Sequence, residues 1–312
     1  MKDSAIDDTK MQSIHGLALY AIVAIFSALW SSAFVVGKIA LEQYDPFTTL
    51  ALRFFLSSIL LVPLVPAQVS LLIEKRTIVV GGVLGLLNNA FYLGATFWAL
   101  RTIRPELVVV VVSCAPFMTA LIAAALGLER LALLKVVGIA LGFIGVLVIS
   151  GVASTAPPDP FGLALAVGGT AAFSAGTLLF RSKAIALPIL HLNFWQSTVG
   201  AIALLPVALA FGEPLSAPSL PVALAIAYLA IVVTIGGMAL WLVLVRISGA
   251  GTASSYHLLN PFFGVVLSHL VLNTVLQPTD FVGAAIIAAG LALTIRSTTR
   301  GGSHEPNRKP EE

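Results

Sequence analysis

Charge is the first thing this chain has little of. Asp, Glu, Lys and Arg make up 10% of its 312 residues, where a soluble domain carries about 25%. So few charges cannot cover a water-facing surface, and a soluble globular fold is excluded. Cysteine is nearly missing. Cys114 stands alone in an apolar run, so no intrachain disulfide forms and the thiol reads as a small packing group. Deep carboxylates are missing too, since Glu106 begins one apolar run and Glu129 ends another. That argues against a buried acid trading protons for an organic cation, although Glu106 and His257 stay open as proton sites. There is no Gly-x-x-x-x-Gly-Lys-Ser/Thr phosphate loop, no His-Glu-x-x-His and no Gly-x-Ser-x-Gly elbow. Direct use of ATP, a bound metal or other cofactor, and the common hydrolytic chemistries all lose their support. An intramembrane enzyme and a purely structural membrane protein remain as minor alternatives. The net charge of +3 does not point to nucleic acid, because the basic residues are scattered between apolar runs.

Apolar residues make up 58% of the chain, and the mean hydropathy is +1.02. Crossing a bilayer takes about 20 apolar residues. Reading between charges and Pro/Gly breaks gives ten such runs, at 15–37, 47–66, 77–100, 106–127, 132–151, 161–181, 190–211, 219–244, 252–272 and 280–296. The expected fold is an all-α integral membrane protein with ten transmembrane helices. The start mixes Lys2 and Lys10 with Asp3, Asp7 and Asp8, which is a poor signal-peptide opening. The run behind it is too long for a signal sequence, so it reads as a retained first span.

Lys and Arg set the expected orientation. With the N-terminus in the cytoplasm, thirteen of the 17 basic residues fall on that side: Lys2, Lys10, Lys75, Arg76, Arg130, Lys135, Arg181, Lys183, Arg246, Arg296, Arg300, Arg308 and Lys309. Lys38, Arg101 and Arg104 fall on the other side, and Arg53 lies inside a span. Both termini are expected to be cytoplasmic.

The stretch LWSSAFVVGK in the first span has an echo. Shifted by 143 residues, Trp30 meets Phe173, Ser31 meets Ser174, Lys38 meets Arg181, Pro63 meets Pro206, Gly94 meets Gly237 and Trp98 meets Trp241. Shifted by 145, Pro116-Phe117 meets Pro261-Phe262, Gly138 meets Gly283 and Gly145 meets Gly290. Ordered pairings of Trp and Pro at nearly one offset indicate an internal repeat. Each unit holds five spans, and an odd number forces the second copy to enter the membrane from the opposite side. The expected organisation is a tail at 1–14, a first repeat at 15–151, a linker at 152–160, a second repeat at 161–296 and a tail at 297–312. Inverted repeats of this kind belong to transporters, because two similar halves that exchange conformations switch access between the two sides.

At this point the chain resembles the EamA type of the drug/metabolite transporter superfamily. The residues that carry the likeness are WSSAFVVGK, Pro46 with ALRF at 51–54, Pro116, LGLERL at 126–131 and GIALGFIGVLVI at 138–149. Thr274 departs from the pattern, standing where a second copy of Glu129 is usual. The resemblance implies ten helices and a central cavity lined by spans 1, 3, 4, 6, 8 and 9. It also implies export of small molecules, and the overall look is similar to bacterial inner-membrane amino-acid and metabolite exporters. Drugs or other metabolites are the alternative cargo.

The candidate contacts for such a solute follow. Trp30 and Ser31 lie together in the first span, with Trp30 away from the interfaces where tryptophan usually anchors; Phe173, Ser174 and Thr177 form the mirrored set in the sixth. Serines here also read as close-packing groups bonded to the preceding turn. Asn89 and Tyr92 lie on one polar stripe of the third span. Met238 suits an adaptable pocket and equally suits ordinary packing. Tyr256 and Asn260, at i and i+4, are the best pair, with His257 between them as a titratable or merely hydrogen-bonded group. Pro116 and Pro261 are expected kinks at equivalent repeat positions. Lys38 reads either as snorkelling to the interface or as a cation at the outer mouth. Arg53 reads either as a structural anchor or as a gate element. Gly138, Gly142, Gly145, Gly283 and Gly290 suit close helix contact within the chain or in a homodimer. The expected partners are a small-molecule substrate, foremost amino acids, and the lipid bilayer of a bacterial inner membrane.

Overall fold

Two of the apolar helices open on an aspartate cap. Asp45 accepts the N–H groups of Phe47 and Thr48 at 2.9 and 3.1 Å and is followed by Pro46. Asp159 accepts that of Gly162 at 2.7 Å and is followed by Pro160. Both place a carboxylate on orphan helix donors and a proline where its missing N–H costs nothing. The computed structural model describes residues 2–65, 69–99, 101–103, 105–129, 131–150, 159–212, 216–273 and 275–301. Arg104, Arg130, Thr274, most of the expected 152–160 linker and the chain beyond 301 lie outside them.

The principal helices are α1 (Lys2–Ala40), α2 (Pro46–Leu61), α3 (Lys75–Ala99), α4 (Pro105–Val112), α5 (Ala115–Ala125) and α6 (Leu133–Ser150). They continue as α7 (Pro160–Ala184), α8 (Ile189–Phe211), α9 (Leu220–Ser248), α10 (Ala250–Ser255), α11 (Asn260–Leu272) and α12 (Pro278–Arg296). No strand occurs among the described residues. Seven stretches are long and apolar enough to cross a membrane: Ala18–Ala40 of α1, α2 extended to Leu64, α3, α7, α8, α9 and α12. Val110–Ala125 and Leu133–Ile149 are shorter apolar helices.

Two of the ten expected runs are therefore interrupted. The run at 106–127 breaks at Ser113 and Cys114, between α4 and α5. The run at 252–272 tightens into a 3₁₀ turn, Tyr256–Leu259, between α10 and α11. The cause is local. Pro116 and Pro261 donate no backbone hydrogen bond, and each ring crowds the carbonyl four residues earlier, those of Val112 and His257. Two further irregularities also fall in both halves. α3 widens to a π-helix over Gly85–Leu93, and α9 does so over Leu229–Gly237.

The packing crosses between the halves. α2 lies along α8, and α6 along α12. α1 packs on α9 and α11, while α7 packs on α3 and α5. In the α6–α12 seam Gly138 faces Gly290, and Gly145 faces Gly283. The glycine faces that a homodimer would use are thus filled within one chain. Contacts also sort the basic residues. Arg76 donates to the Lys183 carbonyl, Arg181 to that of Arg246, and Arg246 to that of Leu187, all at one end. At the other end Gln43 and Tyr44 bond Ser216 and Ala217, and Arg101 lies over the Trp98 ring.

Candidate functional site

Four aromatic rings from α1, α7 and α9 meet around one imidazole. His257, in the 3₁₀ turn before Pro261, has its ring centre 4.6 Å from Trp241 and 5.1 Å from each of Phe26, Trp30 and Phe173. Trp241 stacks on both Phe26 and Phe173, at 5.6 and 5.4 Å. Tyr92 of α3 adds a further ring 4.8 Å from Phe173. Contacts of this kind contribute about 0.5–1.5 kcal/mol per pair beyond area burial. Phe26, Phe173 and Trp241 are buried and Trp30 is half-buried, so the box is closed.

The polar groups of the box are few. Asn260, three residues on, sets its amide nitrogen 2.9 Å from His257 Nδ1. His257 Nε2 and Asn260 Oδ1 are buried without a protein partner. Met238 joins the same buried cluster, as does Tyr256, whose hydroxyl donates to Ser248 Oγ at 2.9 Å. Among the described residues no three His, Cys, Asp or Glu side chains come together.

The structure thus assembles Trp30, Tyr92, Phe173, Met238, Tyr256, His257 and Asn260 of the candidate set. Ser31 is adjacent but already engaged, donating to the Asn260 carbonyl at 2.9 Å. Ser174, 143 residues further on, donates to the Ala115 carbonyl at 3.3 Å. Both serines therefore add a side-chain donor to the carbonyl just before a helix-breaking proline, tying α1 to α11 and α7 to α5. Thr177 spends its hydroxyl on the Phe173 carbonyl at 3.0 Å. Asn89 stands apart, donating to the Gln196 carbonyl of α8 at 2.9 Å, with Gly200 giving it room. Lys38 is exposed in the last turn of α1, where a cation suits the helix terminus. Arg53 reaches Thr234 of α9 at 2.6 Å and lies over Phe54.

Two ring-box residues were not on the candidate list, and each had a signal. Phe26 precedes Trp30 by four residues and Trp241 follows Met238 by three, so both lie on the correct helical face.

The comparisons with known proteins agree on kind. An EamA-like transporter family model matches residues 17–151 and again 160–296. The uncharacterized transporter YvbV of Bacillus subtilis (strain 168) is 25% identical over 277 residues, covering 87% of this chain and 90% of its own. The uncharacterized inner membrane transporter YedA of Escherichia coli (strain K12) is 25% identical over 280 residues, covering 89% and 90%. A solved crystal structure, 21% identical, covers 91% of this chain and 98% of its own with a TM-score of 0.77, and so shares the fold. With the family model accounting for nearly all of both helical halves, the chain belongs to the EamA-like transporter family and is a multi-pass membrane protein.

Proposed function

We propose that this transporter is a secondary carrier moving small polar metabolites, foremost amino acids, out of the cytoplasm across the inner membrane by alternating access. In this reading the chain crosses ten times as two inverted five-helix halves, with both termini cytoplasmic. Several features support it. The family model matches each half once. The glycine seam pairs residues reciprocally, as a two-fold axis requires, since Gly138 corresponds to Gly283 and Gly145 to Gly290. π-helices and broken helices recur at matching positions, a feature associated with functional sites.

The observation that carries the reading is the ring box. Its rings come from both halves, Phe26 and Trp30 from the first, Phe173 and Trp241 from the second. Any rocking of the halves parts them and opens the box. His257 Nε2 and Asn260 Oδ1 then meet a polar solute, and each buried polar group left unmade costs about 1–3 kcal/mol. The outward direction rests on the resemblance to exporters.

Trp30→Ala and Asn260→Ala are each expected to lower solute exchange in liposomes about tenfold or more, the loss typical of a dominant contact. Membrane insertion and monodispersity should be unchanged. Wild-type exchange by both variants would remove the site assignment.

A further inference from the structure

Arg53 has work in this structure that a scaffold does not need. Tyr44 bonds Ser216, and Ser57 bonds the Ala230 carbonyl, so α2 and α9 run in parallel. Arg53 sits one turn before Ser57, yet Nε reaches Thr234 Oγ1, one turn beyond Ala230. The guanidinium therefore runs along α2 toward the middle of α9, not back to the nearer helix end at Pro46 where an anchoring arginine would snorkel. Among the described residues no carboxylate is paired with it, and Nε carries its one hydrogen bond to protein. The side chain is half-buried.

The repeat supplies an internal control. The 143-residue shift places Gln196 opposite Arg53. Gln196 makes the same tie with neutral groups: its Oε1 accepts from Asn88 at 3.0 Å, on the π-helical part of α3, as Arg53 docks on the π-helical part of α9. Holding α8 against the π-helical segment of α3 thus requires no charge. A cation inside a membrane protein is costly and marks a partner or a pathway.

We propose that Arg53 is the anion anchor of the transported solute, and that the solute carries a carboxylate. With Nε held by Thr234, the two terminal amino groups keep the parallel N–H pair that matches a carboxylate's two oxygens. Met238 and Trp241 follow Thr234 along α9, and Thr234 to Trp241 is roughly 10 Å of helix rise. A carboxylate at Arg53 directs the body of a small solute along Met238 toward the ring box. The proposal rests on the carrier reading above and gives it a substrate class.

The test uses the purified full-length chain in detergent, with thermal unfolding followed for wild type, Arg53→Gln and Arg53→Lys. The probes are L-phenylalanine, L-leucine, the amines 2-phenylethylamine and isoamylamine that lack their carboxylates, and inorganic phosphate. Without probe, Arg53→Gln should unfold within a few degrees of wild type, since glutamine is native at the matching position. The amino acids should stabilise wild type and the amines should not. Arg53→Gln should weaken that response about 10- to 100-fold, the loss for hydrogen bonds to a charged group, and Arg53→Lys should keep part of it. Equal stabilisation by the amines, an unchanged response in Arg53→Gln, a response to phosphate alone, or no response of wild type to either amino acid would each overturn the proposal. Exchange of the labelled amines in liposomes separates the two readings: movement of amines without amino acids keeps the carrier and removes the anchor.

Discussion

In Glu129→Gln protein, the end of the bundle where α5 meets α10 is expected to come open. Glu129 Oε2 lies 2.6 Å from Lys135 Nζ, and their side chains are 24% and 8% exposed. Glu129 Oε1 also accepts the N–H of Gly251 at 3.3 Å, in the first turn of α10. One carboxylate therefore fastens three elements: the end of α5, the start of α6 and the start of α10. Losing its charge leaves Lys135 buried and unpaired, at a cost of about 3–5 kcal/mol to this arrangement. In a carrier whose states differ by a few kcal/mol, that is enough to reverse the populations.

Ser254 reports the change, because its hydroxyl is buried against Thr119 Oγ1 at 3.1 Å in the closed seam. In a Cys114→Ser background, Ser254→Cys should react slowly with a water-soluble thiol reagent. Adding Glu129→Gln should speed the reaction at least about tenfold, and adding Lys135→Met as well should slow it again, since removing both charges is tolerated far better than removing one. Equal rates in all three would show that the ion pair does not hold the seam.

The second large effect concerns the α6–α12 seam. A methyl group on residue 138 would sit 2.6 Å from the Gly290 carbonyl oxygen and 2.8 Å from the Thr294 nitrogen. On residue 145 it would sit 2.6 Å from the Gly283 oxygen and 2.9 Å from the Ile287 nitrogen. All four are backbone atoms, which cannot step aside as a side chain can, so the helices must separate. Overpacking of this kind costs about 1–3 kcal/mol per site, and the two sites, two turns apart, should add. Gly138→Ala with Gly145→Ala should lower the unfolding temperature in detergent by many degrees or abolish monodisperse protein. Gly37→Ala, where no neighbouring atom lies within 4 Å, should be neutral. A double variant that unfolds at the wild-type temperature would refute the close seam.

These two cases also show what was legible in the sequence. The glycine positions were visible, because a repeat offset marks them as pairs, and their close contact follows from size alone. The latch was not visible. Lys135 read as a topology charge and Glu129 as the end of an apolar run, and the hold of Glu129 on Gly251 depends on a contact 122 residues distant. Trp30, Phe173 and His257 were legible as candidates through their residue type and face. Their convergence depends on which helices cross, and no local period encodes that. Ser31 and Thr177 share a feature that residue type does not reveal. A buried hydroxyl signals a needed hydrogen bond, but the nearest claimant is often a backbone carbonyl, across a helix contact for Ser31 and one turn back for Thr177. Asn89 lies on the same π-helical segment as Tyr92, where 3.6-residue face counting no longer holds.

The central claim, a carrier of amino acids working by alternating access, is tested most directly by counterflow. Liposomes holding the purified protein are loaded with one unlabelled amino acid, and entry of a labelled panel is followed with and without a proton gradient. The account predicts saturable uptake of at least one amino acid, transiently exceeding equilibrium and competed by its unlabelled form. Failure of every amino acid to exchange, or uptake that rises linearly without saturation or counterflow, would contradict it.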